Sequence, residues 1–125
     1  MRVLWAVACA TAILGCEDAL DVAEAADVRV EADANDLIIT NGRPAPIFYF
    51  AVDEATAAAI DEWAPCTETP QCPSVPAQTV QRVPYSQVLG SRSGGDILFY
   101  WWHVMEESAG SRQPDSVRML RVRRR

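Results

Sequence analysis

The single histidine, His103, lies in "FYWWHV" (99–104), with Glu106 and Glu107 just beyond it. An imidazole among carboxylates can bind a metal or move protons, so one reading is a metal-binding or hydrolytic enzyme centred on His103. The other reading is structural, since a lone histidine beside two tryptophans suits a packed, hydrogen-bonded position. No zinc-protease spacing or nucleophile elbow supports chemistry here. The glycines of "SRSGGD" (91–96) follow no phosphate-loop pattern and read as a turn before a strand. The sequence assigns no catalytic residue, metal ligand or cofactor.

The same stretch carries a second kind of chemistry. On a strand, Phe99, Trp101 and His103 point to one side and Tyr100, Trp102 and Val104 to the other. One face must feed a core and the other must be covered. Cover could come from a second layer of the domain, or from Trp63 and the prolines of "WAPCTETPQCPSVP" (63–76) folding over it. Left open, the face would be an aromatic platform for a sugar ring or a protein partner. Tyr49, Trp63, Trp101, Trp102 and His103 are its candidate binding residues.

The address is written at the other end of the chain. Val3 to Gly15 is an uncharged run of thirteen residues behind Met1 and Arg2, with Glu17 and Asp18 directly after it. Crossing a bilayer takes about 20 apolar residues, so this run is too short for a spanning helix and suits a signal-peptide core. Its exit, "ILGC" (13–16), resembles the lipobox of bacterial lipoproteins, with Leu14 replacing the commoner small residue. The resemblance covers residues 1–16 and implies diacylglycerol on Cys16, cleavage before it and acylation of the new amino end. Two or more acyl chains hold a membrane firmly where one does so marginally. Without lipidation, Cys16 is incidental to an ordinary secretory signal. Glu17 replaces the aspartate associated with inner-membrane retention, so the expected address is the cell envelope, on the outer membrane where the organism has one.

Cys9 leaves with a signal of this kind and Cys16 becomes the anchor, which leaves Cys66 and Cys72. In an oxidising compartment these two are expected to form a disulfide. A redox pair would favour C-x-x-C and a nearby cation, whereas this ring holds Glu68 and no base.

The rest of the chain must position these residues. Residues 16–27 read as an acidic tether, and a domain is expected over 28–125. Val28, Val30 and Ala32 alternate with Arg29, Glu31 and Asp33 as in a half-buried strand. Further strands are expected at 36–40 (ending at Asn41-Gly42, a turn signal), 46–52, 79–83, 96–105 and 116–122. A short helix within 53–62 would take Asp53 as its cap. Short strands punctuated by Gly, Pro and Asn give an all-β domain, read as an immunoglobulin-like sandwich with a small β-barrel as the alternative.

The net charge is −6, with eight acids between Glu17 and Asp36 and five arginines in the last eight residues. An acidic, exported chain is a poor nucleic-acid ligand. The terminal arginines read as a solvated strand end or as a contact for anionic lipid. The expected partners are the membrane, through Cys16, and an envelope protein or glycan, with no transmembrane helix in the mature chain. The mature part also resembles small exported proteins of uncharacterised function that share "IDEWAPCTETPQCP" (60–73), "VPY" (83–85) and "YWWH" (100–103). That resemblance implies a recurring compact domain and no activity.

Overall fold

The computed structural model describes residues 22–68, 71–91, 94–107 and 110–124. The expected signal segment and Cys16 lie outside the described residues. Among the described residues ten strands run in chain order: β1 Val22–Ala25, β2 Val28–Ala32, β3 Asp36–Asn41, β4 Ile47–Asp53, β5 Ser74–Val75, β6 Thr79–Pro84, β7 Ile97–Trp102, β8 Val104–Glu107, β9 Ser111–Pro114 and β10 Arg118–Val122. They form two four-stranded sheets, β1-β2-β3-β6 and β10-β7-β4-β5, and a separate β8-β9 ribbon, with every strand pairing antiparallel.

The all-β reading holds, and neither sheet closes into a barrel. The strand order fits an immunoglobulin-like sandwich, except that β1 is added outside the first strand and no described strand stands beside β6 where D would. Strands β2, β3 and β6 stand where A, B and E stand, and β4, β7 and β10 stand where C, F and G do. Strand β5 is the extra strand beside C.

The period-two alternation explains the packing. Val28 and Val30 of β2, Leu37 and Ile39 of β3 and Val83 of β6 face Ile47, Tyr49, Ala51, Ile97, Phe99, Trp101, Leu120 and Val122 of the other sheet in one buried cluster. Each valine, leucine, isoleucine or phenylalanine among them, fully removed from water, is worth about 1.5–3 kcal/mol. Asn41 closes one end of this core. Its buried amide spreads two N–H groups over the carbonyls of Ala45, Val75 and Pro76, at 3.0–3.2 Å, and its Oδ1 accepts from Arg43 N–H at 2.9 Å. Asn41 is thus both a buried pin and the last residue of β3, one residue beyond the strand end expected at Thr40.

Two other expectations need adjusting, and a third, the short helix capped by Asp53, is met. Residues 22–25 of the expected tether form an edge strand whose Ala25 pairs with Val28. The two residues between them, Ala26 and Asp27, both have positive φ, at 51° and 67°. That is the conformation of a tight hairpin turn that usually announces itself with Asn-Gly or Asp-Gly, so the sequence carried little sign of it. The strand expected over 96–105 breaks at His103, and the segment between it and the strand expected at 116–122 holds β9. The helix is a single turn, α1 (Glu54–Ala57), capped by Asp53 Oδ1, which accepts from Ala55 N–H at 2.9 Å. Gly90 (φ +74°) passes so close to α1 that a Cβ there would lie 1.8 Å from Thr56 Oγ1.

Three of the terminal arginines are engaged by the domain itself. Arg121 pairs with Glu54 at 2.7 Å and Asp96 at 3.0 Å. Arg118 lies 4.6 Å from the centroid of the Trp101 ring, and Arg124 lies 4.9 Å from that of Tyr85 while donating to Ser91 C=O at 2.6 Å. No helix among the described residues is long and apolar enough to cross a membrane.

Candidate functional site

The two faces of β7 have separate fates. Phe99 and Trp101 enter the inter-sheet core, with Phe99 stacked on Tyr49 at 5.3 Å between centroids. Trp102, on the other face, is buried in a second cluster with Phe48 and Cys72, against which Phe50, Cys66, Tyr100 and Val104 pack. The cover is the cysteine loop. Cys66 and Cys72 are disulfide-bonded with Cα atoms 5.6 Å apart, and Trp102 Nε1–H donates to Cys66 C=O at 2.9 Å. Trp63 lies over Phe50, Tyr100 and Trp102 at 5.1, 5.0 and 6.0 Å.

Of the five candidate binding residues, Trp101 and Trp102 are 0% and 1% exposed and Tyr49 is 7% exposed, whereas Trp63 keeps 36% of its surface in water. The open aromatic platform is therefore reduced to Trp63 at the rim of a groove. This groove has a volume of about 380 Å³ and is lined by Tyr49, Phe50 and Ala51 of β4 together with Trp63, Cys66, Pro73, Gln87, Leu89 and Trp102. Burial pushes the Tyr49 phenol above its ordinary pKa, so it stays neutral. A second trough shares Phe50 and Trp63 and is lined by the exposed carboxylates Asp61 and Glu62. No arginine among the described residues lines either one.

The backbone at the floor of the groove matters as much as its side chains. β4 pairs with β5 through Ile47–Val75 and Phe48–Ser74, and Tyr49 N–H still donates to Pro73 C=O at 3.2 Å. An antiparallel hydrogen-bonded pair normally exchanges two such bonds. Proline has no N–H, so Pro73 returns nothing to Tyr49 C=O. Beyond it the chain turns into the disulfide ring, where Cys72 N–H bonds Glu68 C=O at 3.0 Å. Further along the same edge, Leu89 makes a parallel bridge to Val52, its N–H on Ala51 C=O at 3.2 Å and its C=O on Asp53 N–H at 2.8 Å. Strand alternation thus aims Tyr49 C=O and Ala51 N–H into the groove, and no described backbone group pairs with them there. Sequence reasoning missed this rung, although Pro73 beside a cysteine was its visible signal.

His103 lies elsewhere, where β7 leaves its sheet to become β8. Arg43 Nε–H donates to its Nε2 at 3.3 Å, so its Nδ1 carries the proton that bonds Pro46 C=O at 3.0 Å. Its backbone N–H bonds Asp115 Oδ1 at 2.7 Å, and its ring meets Trp101 edge-on at 5.7 Å. Its ring contacts are thus an arginine, a carbonyl and an indole, while Glu106 engages Arg112 at 4.0 Å. Among the described residues no group of three or more His, Cys, Asp or Glu side chains is placed to hold a metal. No protein-family model, curated protein or solved structure matches this chain.

Proposed function

We propose that this protein is a lipid-anchored module of the cell envelope that binds a partner on its extracytoplasmic side, held to the membrane through acyl chains on Cys16. The carrying observation is the order at the amino end: a short apolar run behind Arg2, then "ILGC", then Glu17 and Asp18. A disulfide between Cys66 and Cys72 suits the same oxidising address. The enzymatic reading gains no support from His103, whose ring nitrogens are occupied by Arg43 and Pro46.

Intact mass of the full chain expressed in a bacterial host, beside Cys16→Ala, tests the anchor. The expected result is residues 16–125 plus a diacylglyceryl and an acyl group, with both lost in the variant. An unlipidated chain cut at another position would overturn it.

A further inference from the structure

The groove beside β4 has features that select a particular kind of ligand. Its floor offers one acceptor, Tyr49 C=O, and one donor, Ala51 N–H, on either side of Phe50. In parallel pairing, the N–H and C=O of one incoming residue bond the residues before and after its opposite number. One residue of an extended peptide lying opposite Phe50 therefore satisfies both groups. Leu89 already uses this arrangement two residues further along, opposite Val52. Facing residues of paired strands share a sheet face, so the incoming side chain lies on the Phe50 side, beneath the half-exposed Trp63. The adjoining trough presents Asp61 and Glu62 with no opposing arginine among its lining residues, which favours positive charge next to that residue.

We infer that the groove is a peptide-binding site that adds one residue of an extended, basic polypeptide segment parallel to β4, between Pro73 and Leu89. This deepens the binding-module reading by naming the partner class, and it does not depend on the anchor. Pro73 acts in it as a specificity device. By withholding its own N–H it keeps Tyr49 C=O available, and the disulfide ring turns the chain aside before it can cover Ala51. Addition of a strand at an open edge draws affinity from backbone bonds and selectivity from the neighbouring side chains.

The test is an NMR titration of the ¹⁵N-labelled full chain in detergent with acetyl-Lys-Leu-Lys-amide, following the Ala51 amide. Four controls accompany it: the same peptide with N-methyl-leucine, acetyl-Glu-Leu-Glu-amide, and the protein variants Pro73→Ala and Asp61→Asn/Glu62→Gln. The expected result is a saturable downfield shift of Ala51 N–H. Affinity should fall at least tenfold with the N-methylated peptide and with Pro73→Ala, and several-fold with the acidic peptide and the charge variant. Retained amide dispersion separates lost binding from lost folding. An Ala51 signal that does not move at millimolar peptide overturns the inference, as does equal binding of the N-methylated peptide. Shifts confined to Asp61 and Glu62 would mean loose charge attraction and also overturn it. The mass measurement on Cys16 is independent, so the failure of one reading is distinguishable from the failure of the other.

Discussion

The inner and outer faces of β7 carry the same residue types, an aromatic pair on each, yet they are built into different kinds of structure. The inner pair, Phe99 and Trp101, meets a second sheet whose strands are fixed by ladders of backbone bonds. The outer pair, Tyr100 and Trp102, meets an irregular loop held by a disulfide, one indole–carbonyl bond and the Trp63 ring. A sheet covers a sheet with few irregularities because both repeat every two residues. A loop covers it incompletely and leaves a groove at the margin. The core thus falls on one side of the strand and the candidate binding site on the other.

Mutations should separate the two faces. Trp101→Ala, at 0% exposure on the inner face, is expected to cost about 3–5 kcal/mol in urea unfolding. Replacing both Cys66 and Cys72 by serine should cost about 2 kcal/mol. In hydrogen exchange, the added loss of protection should concentrate in residues 63–73 and leave the ladder of β3 with β6 protected. If the whole domain lost protection together, the outer layer would be part of one cooperative core and the contrast would fail. Trp102→Phe keeps a ring but removes the bond to Cys66 C=O, an expected loss of about 1 kcal/mol. Because that carbonyl belongs to the disulfide loop, a double-mutant cycle with the serine pair should be non-additive.

The smallest effect is expected away from β7, in the turn between β2 and β3. Asp33 accepts from the N–H groups of Asn35 and Asp36 and from Arg82, and these bonds lower its pKa from 3.8 to about 2. A carboxylate depressed in the folded state contributes stability that is complete above its unfolded value and is lost as pH falls from near 4 towards 2. A carboxyl NMR titration should find its midpoint near 2, and Arg82→Gln should move that midpoint upward.

The sequence made the alternation in "FYWWHV" legible because period two is a property of residue types alone, and the Asp53 cap because it is a local bond. It concealed the parts that depend on distant partners. The break at His103 is imposed by Arg43, Pro46 and Asp115, which lie far from it in the chain. Strand β1 was hidden by a tight turn made from Ala26 and Asp27. The groove was hidden because its donor and acceptor are backbone atoms, which every residue possesses. Of the five candidate binding residues, Tyr49, Trp63 and Trp102 line that groove, whereas Trp101 is core and His103 is a pivot between strands.

Two glycines show how unevenly this architecture limits sequence change. Gly110 (φ +79°) has nothing within 4 Å of where a Cβ would lie, so asparagine or aspartate, which tolerate positive φ, fit there with little disturbance. Gly90 has a similar φ, but the Thr56 side chain stands where any Cβ would go. In a saturation mutagenesis experiment position 90 should accept glycine alone while Thr56 is present, and relax towards alanine or asparagine once Thr56 is replaced by glycine. Drift at these two positions is therefore coupled, and a diverged copy of the domain that has lost Gly90 should have changed Thr56 as well.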